Sequence, residues 1–221
     1  MFTMALPLAC GKVEENTANP KRNLTNDLEI RRVLKDHLVS IFREDPETLV
    51  LEELGLRHGL TRVDIAVVNG CLHGFEVKSD RDTLKRLPRQ AKVYSEVLDL
   101  VTVVVGCRHA EEVAQKVPGW WGIQLAEQDQ NGRVQLHELR KPSQNPSPDK
   151  LAIAKLLWRE EALSFLEDMK AADGVRSKPR SMVYERLAEV ASLDALRTRV
   201  RYQLRARIDW RSGERQTSDG G

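Results

Sequence analysis

Two apolar, β-branched runs, Val63–Val68 and Leu72–Val77, lie on either side of Asn69-Gly70, and that dipeptide dictates how they meet. Asn-Gly accepts the left-handed backbone that a tight reversal between strands needs, so the runs are expected to form an antiparallel hairpin. Alternation along a strand then sends Glu76 and Lys78, two positions apart, out of one face. Asp64 interrupts the other run, and the fold-back brings it toward Glu76 despite the twelve positions between them (76 − 64). Phe75 and Val77 take the opposite face, and the rest of the hairpin is too apolar for an open, solvated sheet.

Two carboxylates drawn together in a half-buried place repel each other and lose hydration, so one would be protonated without compensation. A divalent cation and a neighbouring ammonium remove that penalty. Hard oxygen donors with no His or Cys partner favour Mg2+ or Mn2+ over zinc. Such a site suits phosphodiester hydrolysis, in which the metal polarises a phosphoryl oxygen and lowers the pKa of a bound water. Lys78 would orient that water or offset charge developing in the transition state. E-x-K by itself is a weak signal; here it occurs once, in a strand that follows an Asp-bearing strand. The competing reading is an ordinary cross-strand ion-pair set on a solvated face.

Around the hairpin, the segment from Leu24 to Phe42 reads as an amphipathic helix capped by Asn26 or Asp27, with Leu28, Ile30 or Val33, Leu34, Leu38 and Ile41 near helical spacing. Asp45-Pro46 ends it. Thr48–Leu51 is a first strand, which Glu53 closes. Arg81–Leu98 is helical, with Ser79 or Asp80 as cap and Pro88 breaking it or opening its second piece. Leu100–Val105 is continuously apolar, the mark of a strand buried on both faces. Ala110–Lys116 reads as a short helix, and Gly122–Ala126 and Val134–Leu139 as strands. The chain is thus predicted to be α/β, a mixed sheet flanked by helices in the order helix, three strands, helix, strand. Lys141–Pro148 is rich in Pro and Ser, and beyond it Pro148–Lys170 and Ser181–Trp210 read as helices without strands. The expected division is a tail over 1–24, a sheet domain over 25–142, a linker over 143–149, a helical region over 150–211 and a tail over 212–221.

Across 221 residues, 41% hydrophobic and 31% charged, the formal net charge is only +2. Any nucleic-acid affinity must therefore come from local clusters. Arg81, Lys85, Arg86 and Arg89 form one, placed to meet phosphates. Arg197, Arg199, Arg201, Arg205, Arg207 and Arg211 form another, beside an apolar stripe of Leu196, Val200, Leu204 and Ile208. Arg201 and Arg205 are its candidate backbone contacts, against the alternative of an arginine-rich helix packed on its neighbours. Gln90 and Tyr94, four apart, share a helical face. Trp120 and Trp121 are expected in the core or at a domain interface, and His58 and His73 lack ligand spacing. With no P-loop, ATP hydrolysis is not indicated. Three unpatterned cysteines fit a reducing cytoplasm, and no apolar run is long enough to span a membrane.

The run RVDIAVV–GFEVKSDRDTL–RQAKVYSEV–VTVVVG, across about residues 25 to 107, resembles the PD-(D/E)XK (restriction-endonuclease-like) nuclease superfamily, and most of all its small bacterial members. The resemblance implies the same element order. It makes Asp64 the central metal-binding aspartate, Glu76 the second acid, Lys78 the catalytic lysine and Val77 a further metal-contacting position, with Mg2+ or Mn2+ as cofactor. Glu53 is the best candidate for an additional acid, with Glu52 and Glu29 as competitors. Gln90 and Tyr94 resemble the helix motif of the RecB-like branch, beside the active site. Val63 stands where the superfamily's motif has its proline. The implied activity is hydrolysis of nucleic acid, DNA in the first place, leaving 5′-phosphates. The alternative is a non-catalytic nucleic-acid-binding or partner-binding subunit of a repair or defence assembly, with a homodimer or a larger assembly as open states.

Overall fold

The computed structural model describes residues 24–217 apart from positions 58 and 60, with side chains described through 207. His58, residues 1–23 of the expected N-terminal tail and the side chains of Ile208 and Arg211 lie outside the described residues.

Helix α1 (Asp27–Ile41) starts where the Asn26 side chain accepts the Glu29 N–H at 2.9 Å, satisfying a donor the first turn leaves open. Ile30, Leu34 and Leu38 are its buried stripe, whereas Leu28 and Ile41 are exposed. Four-residue spacing from Ile30 therefore sets the buried face, and the two outer positions expected in it are turned away from it. Strands β1 (Leu49–Leu56), β2 (Thr61–Val68), β3 (Leu72–Lys78), β4 (Leu100–Gly106), β5 (Gly122–Gln128) and β6 (Val134–Arg140) form one six-stranded sheet whose spatial order is the chain order. The β1–β2, β2–β3 and β5–β6 pairs are antiparallel; β3–β4 and β4–β5 are parallel. The parallel steps need crossovers, which α2 (Leu87–Val97) and α3 (Ala110–Lys116) supply. This is the mixed sheet flanked by helices expected from the sequence, with the hairpin turned at Asn69–Cys71, where Asn69 Oδ1 accepts the Cys71 N–H at 3.1 Å.

Helix α2 is shorter than the helix expected over Arg81–Leu98. Residues 84–86 form a 3-10 turn, and Pro88 sits in the first turn of α2, where its missing N–H costs nothing. Ser79 and Asp80 do not cap it. The Ser79 N–H and hydroxyl both donate to Asp82, at 2.8 and 2.6 Å. Buried Asp80 instead accepts from the Thr25 N–H and hydroxyl at 3.0 and 2.8 Å and from the Arg108 N–H at 2.9 Å. Gly106 makes this possible: a Cβ there would lie 2.4 Å from Asp80 Oδ1 and 2.7 Å from the Asp80 backbone nitrogen.

The sheet is buried on both sides. On one, Ile30, Leu34 and Leu38 of α1 meet Ile65, Val67, Phe75, Val77 and Val104. On the other, Ala66, Val68, Val101, Val103 and Val105 belong to a core that continues without a break through α2 into the C-terminal helices. Those helices are α4 (Lys150–Ala154), α5 (Arg159–Asp168), α6 (Arg180–Val190) and α7 (Leu193–Thr217), four where the sequence suggested two long stretches. Helix α7 also runs past residue 211, where the expected tail begins. Leu196, Val200 and Leu204 are its buried stripe, as the spacing predicts.

The Pro- and Ser-rich segment over 143–149 is tied down along its length. The Ser143 N–H donates to the Trp120 carbonyl at 2.8 Å and the Asp149 N–H to the Glu96 carbonyl at 2.8 Å. Buried Asn145 caps the end of α2, its side-chain amide donating to the Ser95 and Leu98 carbonyls at 2.8 Å each. Proline there fixes a strap against the sheet domain. Trp121 is fully buried and stacks on Tyr94 with ring centroids 6.0 Å apart, in keeping with the core role expected of it.

Candidate active site

The β2–β3 ladder runs from Val68–Leu72 to Ile65–Phe75 and stops there. Beyond it, the Val77 N–H donates to Asp64 Oδ2 at 2.7 Å, so a carboxylate takes the place of a strand carbonyl. On the other flank the β1–β2 ladder skips one pair, Glu53 with Asp64. Glu53 has φ of 54°, a left-handed conformation that costs a non-glycine residue about 1–3 kcal/mol. The break in both ladders opens a cavity of about 690 Å3, lined by Asp64, Glu76, Val77, Lys78, Glu53 and Gln90 among others.

The charged trio expected from the hairpin meets in this cavity, deep in the fold. Asp64, Glu76 and Lys78 are 7%, 1% and 5% exposed. Lys78 Nζ donates to Glu76 Oε1, and the Gln90 amide donates to the same oxygen at 2.5 Å. The Tyr94 hydroxyl lies 2.5 Å from Glu76 Oε2 and 2.6 Å from the Arg62 carbonyl, two acceptors for one phenolic proton. Burial, then the Glu76 charge, pushes the Tyr94 pKa far above its ordinary value, so the phenol remains a donor. Gln90 Oε1 is buried without a partner, an orphaned acceptor at the cavity. The Q-x-x-x-Y pair is thus built onto Glu76 from α2, while Tyr94 also packs on Trp121.

Asp64 is held differently. Its Oδ1 accepts from Arg31 Nη2 at 2.6 Å. Burial first, and the nearby Glu76 charge second, push its pKa up to about 7, against the opposing pull of the Val77 N–H, Arg31 and Lys78. The effect of one carboxylate on the other is the electrostatic signature of their proximity. Arg31 spans three acids: Nε pairs with Asp27 at 2.7 Å, Nη1 with Glu53 at 2.5 Å and Nη2 with Asp64 at 2.6 Å. Burial works against its charge, but Asp64, Glu53 and Asp27 together more than reverse this and raise its pKa. The sequence reading missed Arg31. Its i,i+4 spacing from Asp27 announces a helix-surface pair, whereas its link to Asp64, 33 positions away, is tertiary.

Of the three candidates for an additional acid, Glu53 lines the cavity. Glu52 pairs with Lys35 on the exposed side, and Glu29 accepts from Gln128 at 3.0 Å. Among the described residues no three His, Cys, Asp or Glu side chains cluster closely enough to hold a metal ion by themselves. His73 is no ligand candidate: its Nε2 lies 2.9 Å from Thr102 Oγ1, and burial lowers its pKa to about 4.

The two basic clusters fare differently. Arg86 and Arg89 are exposed on the cavity wall; Arg81 and Lys85 are exposed but outside it. On α7, Arg201 faces buried Asp99 at 3.6 Å beside Arg197, which pairs with Asp99 at 2.6 Å. Arg205 pairs with Glu47 at 2.9 Å, and Arg207 with Glu161 while covering the Trp158 ring at 4.4 Å. The structure places Arg201 and Arg205 away from the cavity and in contact with acids of this chain, which is the packed-helix alternative. Among the described residues no helix is long and apolar enough to cross a membrane.

Comparison with known proteins gives a family and little else. The family described as bacteriophage P4 protein cII matches residues 20–215. Protein cII of Enterobacteria phage P4 is 32% identical over 95 residues, 43% of this chain and 36% of that protein, so the match spans about a third of the relative's own length. A solved structure of a protein of unknown function from Silicibacter pomeroyi aligns with 71% of this chain and 99% of its own, at 19% identity and a TM-score of 0.41.

Proposed function

The chain belongs to the bacteriophage P4 protein cII family, and we propose that it is a metal-dependent nuclease of the PD-(D/E)XK kind, hydrolysing phosphodiester bonds of nucleic acid, with DNA the first substrate to test. One observation carries this reading: Asp64, Glu76 and Lys78 converge, buried, in a polar cavity. Burying two carboxylates and an ammonium is costly, and apolar residues of like volume would serve stability as well or better.

The donor set fits Mg2+ or Mn2+. Asp64 and Glu76 offer hard oxygens, and Val77 lies between Glu76 and Lys78 with a backbone carbonyl to add. Mg2+ is usually held by one or two carboxylates plus water and substrate phosphate, and Asp64 and Glu76 are two such carboxylates. When bound, such an ion would supply an activated water and an electrophile for the phosphoryl oxygen.

The chain's own residues do the rest. Lys78 places an ammonium beside Glu76, where it can hold an attacking water or meet developing charge. Gln90 and Tyr94 fix the Glu76 carboxylate from α2, leaving it no freedom to turn away. Arg86 and Arg89 on the wall are suited to phosphate oxygens, which position a strand without reading its sequence.

The test is incubation of the purified chain with linear, circular, single-stranded and duplex DNA in Mg2+, Mn2+ or EDTA. Cleavage is expected with metal, none with EDTA, and none from Asp64→Ala or Lys78→Ala proteins that keep the wild-type circular dichroism. Equal trace cleavage by wild type and both variants would mean contamination and leave the non-catalytic binding subunit as the better reading.

A further inference from the structure

The two buried carboxylates of the cavity are both compensated from within, but not by equivalent groups. Glu76 is covered on both oxygens by Lys78, Gln90 and Tyr94, all packed into the fold. Asp64 spends Oδ2 on the Val77 N–H and Oδ1 on Arg31. The Arg31 side chain reaches in from α1 across the cavity wall and keeps 27% of its surface exposed, against 7% for the side chain alone of Lys78. Its three guanidinium nitrogens divide among Asp27, Glu53 and Asp64. Asp64 is thus the acid whose counter-charge sits on a long side chain with a way out.

Resting on the nuclease reading above, we infer that Arg31 is a place-holding counter-ion: its guanidinium occupies the coordinating edge of Asp64 in the cation-free protein, and a divalent cation binds there by displacing it. One contact and one property of the ion argue for a displacement. A cation at Asp64 Oδ1 would meet a guanidinium nitrogen already 2.6 Å from that oxygen, a steric and like-charge conflict. Mg2+ also demands near-ideal octahedral geometry at short distances, which leaves little room for the Nη2 nitrogen beside the same oxygen. The displaced side chain has somewhere to go, because Asp27 holds it through Nε and Glu53 through Nη1 on the solvent side. The arrangement keeps the buried acids compensated while the protein awaits its cation, at the cost of weaker binding of that cation.

The experiment measures Mn2+ binding to the full chain by electron paramagnetic resonance, alongside thermal melting in EDTA. Wild type, Arg31→Met, Arg31→Lys and Asp64→Ala are compared. Arg31→Met is expected to bind Mn2+ about tenfold tighter than wild type, the scale of one removed charge–charge repulsion at a partly solvated site. It is expected to melt lower than wild type in EDTA and to regain more on adding Mn2+. Guanidinium chloride at tens of millimolar should compete with Mn2+ in Arg31→Met, whereas KCl at the same ionic strength should not. Should Arg31→Met fail to fold, Arg31→Lys decides, because it keeps the charge but loses the fork and should tighten Mn2+ binding by a smaller, measurable factor. Binding no tighter than wild type, or guanidinium acting only as KCl does, overturns the inference while the nuclease reading stands. If no protein binds Mn2+ in a manner that Asp64→Ala abolishes, the cation site itself falls, and the inference with it. Binding by Arg31→Met alone would be its strongest support.

Discussion

Arginines cluster both before Gln90 and along α7, yet the two regions use them differently. Arg197, Arg199, Arg201, Arg205 and Arg207 all meet acids of this chain, and two of them also cover aromatic rings. Arg86 and Arg89 stand exposed at the cavity that holds Asp64 and Glu76. A basic run read from sequence gives the number of charges and leaves out their partners. On α7 the partners are acids far along the chain, including Asp99 and Glu47, and the helix is thereby fastened to the sheet. The two regions should therefore fail in different ways: one through chemistry and substrate grip, the other through stability.

The largest expected effect is at the cavity. Lys78→Ala should lower cleavage by at least about 10²–10³-fold, the usual consequence of removing one preorganised charge from a reacting centre, measured as single-turnover rates at saturating metal. On α7, Arg197→Met should cost at most about 3 kcal/mol in urea unfolding, because it takes the nearer of two arginines from buried Asp99 and leaves Arg201 at 3.6 Å, with cleavage per folded molecule unchanged. Arg86→Ala with Arg89→Ala should leave the melting temperature unchanged. It should weaken DNA binding and reduce the slope of log K against log salt by about 1 for each phosphate no longer neutralised. Arg205→Ala should change stability by no more than about 1 kcal/mol and the salt slope not at all, which separates a surface ion pair from a substrate contact.

A pH experiment sharpens the contrast further. Asp64 holds its proton more tightly when folded, with a pKa of about 7 against an ordinary 3.8. Its stabilising contribution is therefore full below pH about 4 and is lost as the pH rises through about 7. Buried His73 works the other way: its pKa falls to about 4 from 6.5, so its contribution is present above pH about 6.5 and is lost as the pH falls through about 4. Asp64→Asn retains His73, so the histidine cancels in the comparison. The melting temperature of the variant minus that of wild type, both in EDTA, should rise from pH 4 to 7 and then level off. A flat difference would remove the claim that Asp64 is strained by its surroundings.

Much of this architecture was legible because its signals are local. Asn69-Gly70, the uninterrupted apolar run after Leu100 and the helix-opening Pro88 each state their structure within a few residues. The alternation that put Glu76 and Lys78 on one face needed only the hairpin. What was hidden is tertiary. Leu28 looks as apolar as Ile30, and only the direction of the sheet face decides which is buried. Asp80 has the side chain of a helix cap, but Thr25 and Arg108 claim it. Arg31 reads as one more surface charge on α1, since the acids that hold it, other than Asp27, come from strands much later in the chain. Pro and Ser over 143–149 signal an irregular backbone, which the structure has, and a free one, which the hydrogen bonds of Asn145 rule out.

The continuity of the core beneath the sheet bears on how the chain comes to be made. Ribosomes deliver the sheet with α2 and α3 first, and the core that Val101, Val103 and Val105 share with α2 stays incomplete until α4–α7 emerge. Asp99 likewise waits for Arg197 and Arg201, so the newborn sheet carries both an oily surface and an unanswered charge. Completion of the core is thereby tied to completion of translation: a polypeptide released early would expose apolar side chains of the sheet domain to its neighbours.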